Sequence, residues 1–227
     1  MFDYTYSVFV QAAYIIRIKG HDKSERLAQR CAESCARVAM PYEFFDAVDG
    51  TSGTLQNVPD QQVIRLLKQV NKTLTPTEVS CLLSHFLLWA KCVELDQPIV
   101  ILEHDAVMVQ PYSAHNLFNV ISYLGCNEQA TGWPLQLPIP PHGQMNENYR
   151  FLLRTHAYAL DPMIARRLVA KVIERGIYSS VDVLIRADEF AIIQVGLYAY
   201  DLPEGSTIPK NDDLPDITKI NNKLLTG

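Results

Sequence analysis

The sequence predicts an α/β fold with a mostly parallel central sheet flanked by helices, on three observations. Strand-like and helix-like stretches alternate along the chain. The run IVIL at 99–102 is continuously apolar, as in a strand covered on both faces, and it stops abruptly at Glu103, His104 and Asp105. The segment before it, PTEVSCLLSHFLLWAKCVE at 76–94, combines several helix-start signals with a broad apolar face and so supplies a covering helix. A buried strand that ends in ionisable residues delivers them to the cleft where open α/β sheets hold ligands.

Composition supports one domain. The chain has 227 residues, 48% hydrophobic and 20% charged, enough for a sizeable core. Neither an internal repeat nor a convincing boundary divides it, so we expect a single domain over 1–202 and a polar tail over 203–227. The formal charge of -5 gives no general electrostatic reason to expect nucleic acid as a partner. VFVQAAYII at 8–16 is too short to span a bilayer and follows no basic segment, so no transmembrane segment or signal peptide is expected. The five cysteines form no compact CxxC pair, and their odd number favours a reducing compartment. The expected location is cytoplasmic, with peripheral contact at the membrane surface allowed.

The elements follow in order. VQAAYIIRIK at 10–19 has the β-branched and aromatic content of a strand. DKSERLAQRCAESCARVA at 22–39 begins with a capping-box pattern, Asp22 reaching forward and Glu25 reaching back. YEFFDAVDG at 42–50 reads as a strand closing in an Asp-Gly turn, and a short helix is expected near 60–70. In the 76–94 helix Thr75 is the cap, Pro76 fits the first turn and Glu78 completes the box. Its leucines and Trp89 widen the apolar face, so burial on more than one side is expected.

After the IVILE strand a second helix is expected near 113–124. Residues 125–150 are rich in Pro, Gly and polar side chains, fitting either an irregular surface excursion or a substrate loop. If that loop shapes a substrate groove, Trp133 and Tyr149 are its binding residues. FLLRTHAYAL at 151–160 resumes strand character, Asp161 and Pro162 start a helix that Gly176 stops, and EFAIIQVGLYAYDL at 189–202 is a late strand.

Local pattern leaves the chemistry open. Glu103 and Asp105 are hard oxygen ligands suited to Mn2+ or Mg2+ and share one face of a regular strand, but a turn there would point either elsewhere. His104 suits a metal, a phosphate hydrogen bond or simple stacking. Asp49 is a turn former beside Gly50, and His85 sits among leucines and Phe86 as a buried helix histidine would. Cys81 and His85 share i,i+4 spacing, but two helix residues without a third converging ligand assign no metal.

The pieces YIIRIKGHDKSERL, FFDAVDG, LTPTEVSCLLSHFLLWAKCVE, ILEHDAV, THAYALDPMIARRLV and SSVDVLI, in that order over most of 8–190, together resemble glycosyltransferase family 25. That family includes lipooligosaccharide and collagen galactosyltransferases. The resemblance implies a GT-A-like nucleotide-diphospho-sugar transferase fold, a UDP-sugar donor, and a glycan or glycolipid acceptor. It implies metal ligation by Glu103, Asp105 and His104, with donor-site roles for Arg17, Ser24, Arg26, Asp49 and His85. Asp182 matches a late family aspartate and is the expected catalytic base. The chain departs from the family pattern in having His104 between the acidic residues, Arg17 in the Ile-Asn-Leu-like stretch, and Ser180 at a proline-like position. A noncatalytic nucleotide-sugar or glycan-binding relative and a structural α/β interaction domain are the alternative functions.

Overall fold

The computed structural model describes residues 12–58, 61–113, 117, 119–125, 152 and 154–201. Its strands are β1 (Ala13–Arg17), β2 (Tyr42–Asp46), β3 (Ile99–Glu103), β4 (Ala106–Met108), β5 (Ile121–Gly125), β6 (Ala157–Leu160) and β7 (Ile192–Asp201). The helices are α1 (Asp22–Arg37), α2 (Gln61–Leu66), α3 (Pro76–Leu95), α4 (Pro162–Arg175) and the short α5 (Val181–Leu184); a 3-10 turn, Leu67–Gln69, follows α2.

The sheet order is β2-β1-β3-β6-β5-β7-β4. Three pairings are parallel (β1 with β2, β1 with β3, β5 with β7) and three antiparallel (β3 with β6, β5 with β6, β4 with β7). This mixed sheet corrects the expectation of a mostly parallel one. An apolar run reports burial on both faces and carries no information about the direction of its neighbours.

Burial on both faces is what β1 and β3 show. Tyr14, Ile16, Ile99 and Ile101 enter the core under α3 and α4, whereas Ala13, Ile15, Val100 and Leu102 enter the core under α1. The helices thus lie on both sides of the sheet, as expected. In α3, Leu82, Leu83, Leu88 and Trp89 are all fully buried. Each buried leucine contributes roughly 2 kcal/mol of transfer free energy.

The sheet is curled into a half-barrel, and chain connectivity requires it. Only His104 and Asp105 separate β3 from β4, yet these strands stand third and seventh in the order. Four strand spacings in a flat sheet are roughly 19 Å. The three Cα steps from Glu103 to Ala106 reach at most about 11 Å. The far edge therefore returns to the end of β3, where β4 packs on α1 and Met108 N–H donates to Ser34 Oγ at 2.8 Å.

Two local expectations change. Residues 121–125 form a buried strand that overlaps the end of the predicted 113–124 helix. Ile121 and Tyr123 face one core and Leu124 the other, so pairing with β6 and β7 overrides helix-compatible spacing. The α1 cap is His21, whose Nδ1 accepts from Ser24 N–H at 3.3 Å; Asp22 is already helical, and Glu25 reaches back to Gly20 N–H at 2.9 Å. The Thr75–Glu78 capping box and the Asp161 cap with Pro162 form as expected.

Candidate functional site

The C-terminal ends of β1 and β3, the segment after β2 and the middle of α3 enclose a cavity of about 110 Å³. Strand alternation selects its lining. Ile16 and Ile18 face the cavity, while Arg17 between them lies over the Phe44 ring at 4.5 Å and pairs with Asp46 at 2.8 Å. Ala47 and Val48 form another wall, anchored when Val48 N–H donates to Ser84 Oγ at 3.0 Å. Gly50 permits that close approach, because a Cβ there would meet the Pro76 carbonyl oxygen at 2.3 Å. The AVDG and SCLLSH segments are therefore halves of one contact.

Glu103 ends β3 at the cavity and accepts from Thr155 Oγ1 at 2.9 Å. His85 Nε2 is 3.3 Å from Glu103 Oε1, within ion-pair range but off the line of a hydrogen bond. Burial pushes the Glu103 carboxyl up, but the His85 side chain and the Thr155 hydroxyl outweigh it and hold the group at about 2. Behind His85, the Tyr158 hydroxyl lies 2.7 Å from Nδ1 and accepts from Trp89 Nε1–H at 2.9 Å. Because the indole only donates, a Tyr158 proton placed in this contact goes to Nδ1, which in a neutral ring leaves the ring proton on Nε2.

Asp105 lines the same cavity and has a buried oxygen, Oδ1, without a hydrogen-bond partner. Burial and then the charge of Glu103 push its carboxyl up to about 7. Neighbouring carboxylates, one with an orphaned oxygen, suit a hard divalent cation such as Mn2+ or Mg2+. His104 is buried at the cavity wall.

Asp182 reaches this group through Thr155. Its Oδ1 accepts from Thr155 N–H at 3.1 Å and lies 2.8 Å from Thr155 Oγ1. One hydroxyl carries one proton, so Thr155 cannot donate to Glu103 and Asp182 at once. Burial and the Glu103 charge push the Asp182 carboxyl up. The rival acids are engaged elsewhere: Glu189 pairs with buried Lys171 at 2.6 Å, and Asp188 pairs with Arg186.

Other residues singled out from sequence stand apart from the cavity. Ser24 is buried and its hydroxyl accepts from Ile18 N–H at 2.9 Å, tying β1 to α1. Arg26 is on the exposed face of α1. Asp49 Oδ1 accepts from Thr51 N–H at 2.8 Å and from the Thr51 hydroxyl at 2.7 Å, the turn-forming role its sequence context offers. Trp133 and Tyr149 lie outside the described residues.

Cys81 is the addition. Its Sγ, a His85 ring nitrogen and a Glu103 oxygen lie within 4.8 Å of one another, a cluster able to hold a metal. The helical i,i+4 spacing supplied two of these ligands, but the third comes from β3, so no local pattern revealed the set. Burial pushes the Cys81 thiol well up.

A family model described as glycosyltransferase family 25 (LPS biosynthesis protein) matches residues 10–126. The lipooligosaccharide biosynthesis protein lic2B of Haemophilus influenzae is 34% identical over 70 residues, covering 31% of this chain and 25% of that relative's length. A solved glycosyltransferase involved in glycosylation of the major capsid of PBCV-1 aligns with TM-score 0.38 and 6% identity, over 95% of this chain and 100% of that chain. That superposition is too loose to bear on the site. Among the described residues no helix is long and apolar enough to cross a membrane.

Proposed function

The chain belongs to glycosyltransferase family 25, and on that premise we propose that it transfers a hexose with inversion to a glycan or lipooligosaccharide hydroxyl. UDP-galactose is the first donor to test, and the curled sheet is read as a GT-A-like variant. The observation that carries the proposal is the partnerless buried oxygen of Asp105 beside Glu103 in one cavity at the strand ends. Glu103 and Asp105 would hold Mn2+ or Mg2+, with His104 as a third contact. The bound cation would offset the diphosphate charge and stabilise the leaving nucleotide.

Inversion needs a base on the acceptor side rather than an enzyme nucleophile. Asp182 is the proposed base. Thr155 N–H fixes its carboxylate by donating to Oδ1 at 3.1 Å, and burial with the Glu103 charge raises its proton affinity, the direction a base requires. Glu103 stays ionised under the same conditions, so the two carboxylates are suited to different tasks. Acceptor recognition by Trp133 and Tyr149, and action at the cytoplasmic membrane surface, complete the proposal.

The test combines binding with turnover. Calorimetry of UDP with Mn2+ should show metal-assisted affinity that Glu103→Gln and Asp105→Asn each reduce at least tenfold while the fold persists. Equal affinity in all three proteins rejects this donor site. A panel of UDP-sugars and glycan acceptors, followed by linkage analysis, then decides the reaction: a β-linked product from an α-linked donor is expected, and an α-linked product refutes inversion. Binding without turnover across a broad acceptor panel would favour the noncatalytic relative, for which His104 within the acidic segment is the specific motive.

A further inference from the structure

We propose that Cys81 Sγ, His85 Nε2 and one Glu103 oxygen form a zinc site, and that zinc there displaces the hard divalent cation from Glu103. The three donors come from adjacent turns of α3 and the end of β3, within 4.8 Å of one another. A thiolate and an imidazole select zinc over manganese or magnesium, which prefer oxygen ligands. His85 is fully buried, and its Nε2 lacks a hydrogen-bond partner although it faces Glu103.

Geometry asks for little movement. Tetrahedral zinc with ordinary bond lengths sets sulfur and nitrogen ligands roughly 3.5 Å apart. Closing from the present separation takes about an ångström of side-chain rotation, and Cys81 is only partly buried. Cys81, His85 and Glu103 all line the cavity, so water can reach a metal held there.

The shell behind His85 orients it. Tyr158 and Trp89 hold the ring through Nδ1. Coordination through Nε2 requires the neutral ring to carry its proton on Nδ1, donating to the Tyr158 oxygen, while the Cys81 thiol proton leaves to solvent. The Tyr158 proton then loses its present acceptor, a penalty of roughly tenfold in affinity. A zinc–thiolate bond exceeds that penalty.

Competition with the donor cation rests on the function proposed above; the zinc site itself does not. The full chain, stripped of metal by a chelator, is titrated with Co2+ as a spectroscopic substitute for zinc. Wild type should show a thiolate-to-cobalt charge-transfer band that Cys81→Ser lacks. Zinc affinity, read by competition with a fluorescent chelator, should fall at least a hundredfold in Cys81→Ser and in Cys81→Ala. The absence of the band in wild type overturns the site. A band that survives both substitutions does the same, because it would come from another cysteine such as Cys31 or Cys35.

Mn2+ electron paramagnetic resonance in the presence of UDP reads the second half. Zinc should release bound Mn2+ from wild type and not from Cys81→Ser. Bound Mn2+ that zinc leaves in place overturns the competition. If Mn2+ never binds, the donor-site proposal and the competition fail together, while the cobalt band still decides the zinc site.

Discussion

Tyr158→Phe isolates the buried network behind the site. The substitution keeps the ring in a fully buried position and removes one oxygen, which lies 2.7 Å from His85 Nδ1 and 2.9 Å from Trp89 Nε1. Both nitrogens then face carbon, with no water to replace the hydroxyl. Each buried group left without a partner costs roughly 1–3 kcal/mol, and relief from burying the hydroxyl returns part of that. The expected net loss is about 2–4 kcal/mol, or roughly 5–15 °C in Tm for a chain of this size. Urea denaturation followed by circular dichroism measures it directly. Trp89→Phe supplies the second edge of a double-mutant cycle, which should show at least about 1 kcal/mol of coupling. A Tyr158→Phe protein within about 0.5 kcal/mol of wild type at unchanged m value, or a cycle with no coupling, would refute the claim that this hydroxyl satisfies both partners.

Three further outcomes follow from single contacts. Gly50→Ala should lose roughly 1–3 kcal/mol in thermal denaturation, because its Cβ would meet backbone of Pro76 at 2.3 and 2.6 Å; an unchanged Tm would show that the 47–50 segment gives way freely. Thr155→Val, which removes the hydroxyl shared by Glu103 and Asp182, should lower kcat at least tenfold, and Thr155→Ser should keep it near wild type; a valine variant with unchanged kcat would exclude the hydroxyl as an element that positions these carboxylates. For Asp46, burial raises the carboxyl but the hydrogen bonds and charges of Arg17 and Lys19 outweigh it and hold it low. Its stabilisation is therefore present above about pH 4 and is lost as pH falls through the depressed folded value. Asp46→Asn should flatten that acid limb by no more than about 0.5 kcal/mol, an effect that salt removes, since the pair is partly exposed.

What the sequence made legible was local. The α3 start, the α4 start and the apolar β3 run each depend on residues within a turn or a strand of one another, and each forms where expected. The α1 cap was misread by one residue because Asp22 is the favoured cap type, whereas His21 Nδ1 takes the position by accepting from Ser24 N–H. Residues 121–124 were read as helix since β5 is specified by its neighbours β6 and β7, which lie far along the chain. Strand direction was illegible for the same reason. In the site, the strand-end acids and Asp182 were visible as residue types, but the Thr155 bridge and the joining of Cys81 to Glu103 require packing that no spacing records.

The curl of the sheet links these observations. The two-residue turn between β3 and β4 leaves His104 and Asp105 no freedom to extend into solvent, because Ala106 must already pair with Asp201 on the returning edge. Asp105 is thereby kept partly buried beside Glu103, while the direct pairing of β3 with β6 lets Glu103 N–H donate to His156 O at 2.8 Å. Thr155, one residue earlier, then falls between Glu103 and Asp182. A flat sheet with the same residues would keep the Glu103–Thr155–Asp182 bridge, which rests on β3–β6 pairing, and lose the confinement of Asp105. The departure from an open sheet and the placing of Asp105 beside Glu103 are thus a single structural event, which a longer turn at 104–105 would undo.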